Sequence, residues 1–563
     1  MARTFRDRHA DVLKRHPVWR PRMLHEILDE AAAEAPDRPF IITDAAIYTY
    51  ADVAERSKHV AGGLAALGVA QGDHVALLMA NHPDFVWIKY AISRLGAVCV
   101  PVNFFNRRDE LAYVLAQSDA KVLITMDRFR DLDYLGMLDD IAPGWESAGG
   151  GDALPRLSHV VVRPDTGAAR DGVRTLADVD GDAPATVTSE AERVSDIIYT
   201  SGTTGQPKGV MMTHDMLARA SFTSALTRGF DDGWRVTFSL PMYHVYGYVE
   251  GMLTAPWVGG AIIPQTAFHP AETVSAIVEH KAHDVLLVPT MTLAIFEHLK
   301  ANPTEMPDLV AVISSGQRAP KGIWDEIRTH FGDVELTTGY GMSEVTATMA
   351  LTRVGDPDDK LRETNGRMRD AGPAGSEDLR GKLVLYRVVD PQTGAVLPDG
   401  ETGELQARGL CVTQGYYNKP KETEELYAED GWIHTRDLGH LVEDDYLVLD
   451  GRLKESYRCG GEQVMPTEIE DVLTAHPDVM QAHVVPVPDA RMGEVGVAYI
   501  VARSGAAVTE DDLVERCKNS LARFKVPKHV LFIDQADLPV TPSGRARKFL
   551  LSDRAIRELE IDP

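Results

Sequence analysis

A chain of 563 residues with 44% apolar content outgrows a single compact core and fills roughly two or three, so a multidomain enzyme is the expectation. Its 84 acidic side chains against 58 basic ones leave a net charge of -26, which argues against a nucleic-acid or anionic-membrane partner, since both reward clustered positive charge. Cys99, Cys411, Cys459 and Cys517 have no spacing for a zinc site or a disulfide framework, and the basic start MARTFRDRHADVLKRHPVW lacks the apolar core of a signal peptide, so a reducing cytoplasm is expected, with no membrane segment.

In chain order, residues 22–125 alternate helical patterns with short apolar strands: MLHEILDEAAAEA, FIIT, YTYADVAERSKHVAGGLAALG, HVALLMA, DFVWIKYAISRLGAVCVPV and AKVLIT. That rhythm predicts an α/β fold with an at least partly parallel sheet. From about Ala142 to Val194 the chain is rich in Gly, Asp, Ala and Pro; apart from a strand at SHVVV it reads as a surface excursion. A second α/β rhythm runs through VTFSLPMYHVYGYVEGML, ETVSAIVEHKAHDVLLVP, DLVAVISSG and VELTTGYGMSE. After Lys382 the pattern shortens into the strands KLVLYRVVD, GELQARG and YLVLDGR, which predict a small β-rich subdomain. A turn containing Asp450 and Gly451 then opens a final module with strands AHVVPVPD and VGVAYIVA, the helix EDDLVERCKNSLARF and the tail TPSGRARKFLL.

The segment with the most chemistry in it is Asp196 to His214, DIIYTSGTTGQPKGVMMTH. An apolar strand breaks into a loop whose Gly202, Gly205 and Gly209 allow main-chain N–H groups to converge on an anion. Thr200, Ser201, Thr203 and Thr204 add hydroxyl donors and Lys208 a point charge, a composition built to hold phosphates. The spacing is not that of GxxxxGK[ST], so an ordinary P-loop is excluded. A plain Gly/Ser/Thr linker is the alternative, but such linkers seldom follow a buried-type strand and seldom end in PKGV.

On this loop, and over nearly the whole chain from Tyr48 to Leu551, the sequence resembles the adenylate-forming superfamily of acyl- and aryl-CoA synthetases, carrier-protein adenylation domains and luciferases. The resemblance implies an AMP-binding N-terminal domain over 1–450, made of α/β subdomains plus a β-rich part, and a small mobile α/β C-terminal domain over 451–563 turning on a hinge at Lys454. It also implies ATP and Mg²⁺ as cofactors and CoA, or a carrier-protein phosphopantetheine, as acceptor.

Site residues follow motif by motif. In TTGYGMSE the resemblance makes Glu344 the metal ligand, packs Tyr340 on adenine, brings Gly341 and Ser343 to the nucleotide and sets Gly339 at the acyl pocket; a helix-capping Glu344 is the other reading. In GWIHTRDLG, Asp437 would accept from both ribose hydroxyls, or sit in a surface turn, and Arg452 is the second ribose contact. In LPMYHVYGY, His244 would line the acyl pocket, though a lone histidine among apolar neighbours is more often a hydrogen-bonded core residue. Tyr243, Tyr246 and Tyr248 would make that pocket suit an aryl or medium-sized acid. CGGEQVMPTEIE, Cys459 to Glu470, resembles the segment that enters the site for thioester formation, with Gly460 and Gly461 letting a pantetheine arm pass.

Two departures stand out. PVTPSGR, Pro539 to Arg545, has Arg545 where the family's catalytic lysine is expected, and a five-donor fork is not a compact ammonium. Arg547 or Lys548 could reach inward instead. In SSGQRAP, where the resemblance implies a floor of small residues under the acyl and adenine pockets and sets Gly316 and Gln317 on the nucleotide side, Gln317 and Arg318 add bulk and a charge, and Arg318 faces either the acyl pocket, where it would select a polar or anionic substrate, or solvent. The leading reading is an ATP-dependent ligase that forms acyl-AMP and passes the acyl group to CoA. The altered cations keep open a secondary-metabolism diazotase, in which nitrite is activated by ATP and attacked by an aryl amine. A nucleotide-binding protein without turnover is a third reading, which the intact loop, Glu344, Asp437 and Arg452 oppose.

Overall fold

The computed structural model describes residues 3–165, 170–182, 189–200, 206–316, 322–503, 505–541 and 546–561, less the side chain of Gln463. A large N-terminal domain is built on three sheets and a small C-terminal domain on a fourth.

The first α/β rhythm forms a six-stranded sheet in the order Lys208–Thr213, Val194–Thr200, Val98–Pro101, His74–Leu78, Val122–Met126, His159–Arg163. It is parallel except for the first pair. Near-continuous apolar runs such as HVALL and VLITM are what a sheet covered on both faces requires. The helix Tyr50–Ala66 begins at Thr49, whose hydroxyl accepts from the Asp52 N–H while the Asp52 carboxylate accepts from the Thr49 N–H, a reciprocal cap.

The same rhythm is shared with a second sheet, which the local pattern does not announce. Pro39–Ile42 forms an antiparallel pair with the next strand, Ile47–Thr49, and on its other side pairs in parallel with Ala261–Pro264, completing a seven-stranded sheet with Arg235–Phe238, Asp284–Leu287, Ala311–Ser314 and Glu335–Thr337. The third sheet is antiparallel: Gly339–Met342, Ala347–Leu351, Arg367–Met368, Tyr446–Arg452, Ile433–Val442, Gly403–Gly409 and Val384–Val389. This is the β-rich part expected after Lys382, enlarged by strands on its N-terminal side.

Two expectations need correction. Asp450 and Gly451 do not form a turn: they lie inside the strand Tyr446–Arg452, with Gly451 opposite Leu438 and Arg452 opposite Asp437. The chain turns after Arg452, whose carbonyl accepts from the N–H groups of Glu455 and Ser456. Second, VYGYVEGM is not part of a strand–helix alternation but a π-helix, Tyr246–Met252, packed so tightly that a Cβ on Gly247 would stand 2.3 Å from the Leu240 carbonyl oxygen.

The small domain pairs Val479–Asp489 with Gly493–Ala502, flanked by Tyr457–Cys459 and His529–Phe532, beneath the helices Pro466–Thr474, Glu510–Ser520 and Lys548–Glu558. Buried side chains from Val12 to Leu447 form one core and those from Tyr457 to Ala555 another. All four cysteines are buried and free. Among the described residues no helix is long and apolar enough to cross a membrane.

Candidate active site

The loop of glycines and hydroxyls joins two antiparallel strands, Val194–Thr200 and Lys208–Thr213, and its ends are held by the pairing of Thr200 with Lys208. Ser201, Gly202, Thr203, Thr204 and Gly205 lie outside the described residues. A Cβ on Gly209 would meet Ile197 Cγ2 at 2.5 Å, so this glycine serves strand packing.

The free edge of Lys208–Thr213 is sewn to the β-rich part. Met211 N–H donates to the Gly415 carbonyl at 3.1 Å and Tyr417 N–H to the Gly209 carbonyl at 2.8 Å. This seam carries Tyr416 between two groups singled out from sequence. Lys208 Nζ lies 4.8 Å from the centroid of the Tyr416 ring, a cation–π contact. The Tyr416 hydroxyl donates to Glu344 Oε1 at 2.8 Å. Nothing in CVTQGYYNKP marks Tyr416 for this place; only the seam does.

Glu344 sits in the turn Ser343–Val345 between the strands Gly339–Met342 and Ala347–Leu351. Thr346 and Ala347 follow it at φ of 61° and 99°, two left-handed non-glycine residues in succession, strain of the kind stored at functional sites. The turn is pinned by Thr413 N–H, which donates to the Glu344 carbonyl at 2.8 Å. Burial pushes the Glu344 carboxyl above its usual range, and the Tyr416 hydroxyl offsets part of that shift. No cation pairs with Glu344 among the described residues. The capping reading fails, since the turn opens no α-helix.

Asp437 is also buried, and two groups hold it. Tyr340 donates its hydroxyl to Oδ2 at 2.6 Å, and Arg452 Nε lies 2.9 Å from Oδ1. The backbone at Arg436 is left-handed, φ 63°, immediately before this carboxylate. Asp437 is therefore not in a surface turn. Burial, and then Asp437 itself, raise the Tyr340 phenol well above its usual range, so it remains a donor. Tyr340 and Tyr386 pack with ring centroids 5.7 Å apart, and the buried Tyr386 hydroxyl makes no hydrogen bond among the described residues.

The glycines of TTGYGMSE answer to the fold. A Cβ on Gly341 would lie 1.9 Å from the Ala347 carbonyl oxygen and one on Gly339 2.4 Å from that of Ala350. Ser315 Oγ donates to the Gly339 carbonyl at 2.6 Å, joining the second sheet to the third, and Gly316 beside it has φ of 91°. Gln317 and Arg318 lie outside the described residues.

The aromatic motif divides. Tyr248 is fully buried and its hydroxyl donates to Asp196 Oδ1 at 3.1 Å, completing a buried pair in which Lys89 Nζ is 2.8 Å from Asp196 Oδ2. Its polar end is spent on the core. Tyr246 donates to the Leu287 carbonyl at 3.1 Å. His244 accepts at Nδ1 from the Tyr246 N–H at 3.3 Å, and burial pushes its pKa down to about 4, which leaves a neutral ring protonated on Nε2. Tyr243 packs edge-on against Phe104 with centroids 5.2 Å apart, and its buried hydroxyl makes no hydrogen bond among the described residues.

From the small domain, Arg545 lies outside the described residues. Lys548 does not reach inward: its Nζ is 3.3 Å from Glu455 and 2.7 Å from Glu470. Lys454 lies in the turn after Arg452.

A strand–loop–strand hairpin ending in lysine, joined through a tyrosine to a buried carboxylate four residues beyond the tyrosine that holds Asp437, is a long-range arrangement that can be compared whole. Residues 28–417 match the model of the AMP-binding enzyme family and residues 468–545 that of the AMP-binding enzyme C-terminal domain. The chain belongs to this adenylate-forming family. It is 31% identical over 550 residues to 4-coumarate–CoA ligase CCL1 of Humulus lupulus, spanning 96% of this chain and 95% of that protein. It is 28% identical over 572 residues to the mitochondrial medium-chain acyl-CoA ligase ACSF2 of Danio rerio, spanning 98% and 91%. Its fold is similar to that of ATP-bound MatB from Rhodopseudomonas palustris, with TM-score 0.81 and 26% identity over 95% of this chain and 98% of that one.

Proposed function

We propose that this protein is an AMP-forming acid–thiol ligase: it joins an aryl or medium-sized carboxylic acid to AMP at the expense of ATP and transfers the acyl group to CoA. The observation that carries this reading is the pair of differently furnished carboxylates. Asp437, held by Tyr340 and Arg452, suits the ribose of a nucleotide, whereas the buried Glu344 forms no ion pair among the described residues. Relatives that are ligases of an aryl-substituted acid and of medium-chain acids support the acid class and the CoA acceptor.

In the first half-reaction a carboxylate oxygen attacks the α-phosphorus of ATP, the bond from that phosphorus to the bridging oxygen breaks, and pyrophosphate leaves. Lys208 and the loop from Thr200 to Gly205 would take the β- and γ-phosphates, with charge neutralisation rather than covalent help from the chain. Among the described residues no group of three His, Cys, Asp or Glu could hold a metal. One buried, uncompensated carboxylate nevertheless fits Mg²⁺ that takes most of its shell from phosphates and water; Glu344 would hold it, and it would neutralise phosphate charge. In the second half-reaction the CoA thiol gives up its proton to solvent, its sulfur attacks the acyl carbon and AMP leaves with the electron pair of the broken C–O bond. The neutral His244 would line the acyl pocket as a gate without taking the thiol proton.

For this cycle the small domain, residues 451–563, would rotate against 1–450 about Lys454, so that Arg545 serves adenylation and the Cys459–Glu470 segment serves thioester formation. The test is AMP release from Mg-ATP across aryl and medium-chain acids with CoA, run beside nitrite with amino-substituted aryl acids and no CoA. CoA-dependent AMP release is expected. Release that depends on nitrite and ignores CoA would overturn the ligase reading.

A further inference from the structure

The helix Arg108–Gln117 buries Leu111, Val114 and Leu115 in the large core, and apolar contact of that kind is enough to hold it in place. Yet Tyr113 and Gln117, one turn apart on the same helix and half-buried, direct their polar ends at the hairpin that carries Lys208. Tyr113 donates its hydroxyl to the carbonyl of Pro207, the residue before Lys208, at 3.0 Å. Gln117 uses both halves of its amide: Oε1 accepts from the Tyr199 hydroxyl, and Nε2 donates to the Tyr417 carbonyl at 2.7 Å.

Those last two partners flank one residue. Tyr199 pairs with Gly209 across the hairpin, and the Tyr417 N–H donates to the Gly209 carbonyl at 2.8 Å from the other side. Gly209 follows Lys208, and Tyr417 follows Tyr416. A single glutamine therefore ties the strands that carry the cation to the segment that carries the ring it faces. Asp119, just past the helix with φ of 51°, extends the tie: it accepts from the Tyr417 hydroxyl at 2.9 Å and from Asn418 Nδ2 at 3.0 Å. Thr200 and Lys208 form the last pair of their ladder, where strand pairing opens most readily. A lysine is a point charge on a flexible stem, so its hold on a phosphate depends on where that stem begins. Bonds to the backbone on either side of Lys208 fix that starting point, as apolar packing alone does not.

We propose that Tyr113 and Gln117 are positioning residues for the phosphates of ATP: they hold the backbone around Lys208 and that of Tyr417 in register, so that Lys208 is placed for the β- and γ-phosphates before the nucleotide arrives. The inference rests on the ligase reading, which gives those phosphates to Lys208, and deepens it. Both residues act through Lys208 rather than on the nucleotide.

The experiment is calorimetric titration of Mg-ATP and of AMP into wild type, Tyr113→Phe, Gln117→Met, Lys208→Met and the double variant Gln117→Met with Lys208→Met. AMP lacks the two phosphates at issue, so its affinity reports whether the rest of the nucleotide site is intact. Gln117→Met is expected to weaken Mg-ATP binding by about ten-fold and Tyr113→Phe by about three-fold to five-fold, with AMP affinity within about two-fold of wild type. Where Lys208 is already replaced, Gln117→Met should cost less than about two-fold more, because residues that act through one another are not additive. Equal weakening of ATP and AMP, unchanged ATP affinity, or the full loss repeated in the Lys208→Met background overturns the inference. If Gln117→Met does not fold, Tyr113→Phe, which removes one hydroxyl, decides between the same outcomes when paired with Lys208→Met. Wild type that binds neither nucleotide would instead defeat the ligase reading, and this inference with it.

Discussion

Two buried charge clusters in the large domain are made from the same residue types and end in opposite states. On the π-helix, Glu250 lies 2.9 Å from Arg369 and 3.8 Å from Arg228, whose other nitrogen is 2.7 Å from Asp284. Ser224 donates to Glu250 at 2.6 Å. Each charge faces an opposite one, and the four bring a strand of the second sheet, Asp284–Leu287, to Arg369, next to the third-sheet strand Arg367–Met368. In the cleft, only Asp437 and Arg452 are paired in this way, while Glu344 and Lys208 face the same tyrosine from two sides and have no counter-ion among the described residues. A closed cluster fixes one packing of two sheets; an open one keeps charge in reserve for a ligand, at a cost in stability.

The largest test of that contrast is Arg369→Met, which leaves the buried Glu250 with only the longer pairing to Arg228 and the hydrogen bond from Ser224. A loss of about 3–5 kcal/mol in chemical denaturation is expected, with the KM values of the surviving folded enzyme unchanged. Glu344→Gln should behave oppositely: turnover falls about a hundred-fold, close to 3 kcal/mol of barrier, while stability holds or rises by about 1 kcal/mol. Parallel loss of stability and turnover in Glu344→Gln would show that the cleft carboxylate is structural.

Acid should act on a third set of groups. Burial pushes His25, His82, His244 and His483 down to about 4 from 6.5. The unfolded chain takes up protons near 6.5 and the folded one refuses them until about 4, so stability is full above pH 6.5 and declines through that window, by roughly 3 kcal/mol per histidine at pH 4. Denaturant midpoints from pH 8 to pH 4 measure this; a flat profile down to pH 5 would exclude it. The smallest effect is expected from Tyr416→Phe, which removes one hydrogen bond to Glu344: about 1 kcal/mol in the KM of ATP, and less in stability.

The sequence made some of this legible and hid the rest for identifiable reasons. Thr200 and Lys208 stand in a loop whose composition suits an anion, and Tyr340, Glu344, Asp437 and Arg452 stand in short motifs whose resemblance to the family implies metal and nucleotide contacts. Tyr416 and the strained backbones at Thr346, Ala347 and Arg436 carry no such sign, because their roles come from a seam between strands more than 200 residues apart and from carbonyls on neighbouring strands. Tyr248 looks like pocket lining in LPMYHVYGY and turns inward because Asp196 and Lys89 lie beneath it. Lys548 and Arg547 are adjacent and alike on paper; Glu455 and Glu470 claim one and leave the other.

By itself, then, the order of residues determined the α/β and β-rich regions, the glycine- and hydroxyl-rich loop ahead of Lys208 and the adenylate-forming family, since periodicity, turn chemistry and contiguous motifs act over a few residues at a time. Tertiary structure alone decided that Pro39–Ile42 joins the second sheet, that Asp450 and Gly451 stay in a strand, and which buried charges are neutralised and which are left open. Those outcomes depend on distances between segments far apart in the chain, and the free energy of a buried charge is set by what folding brings within a few ångströms of it.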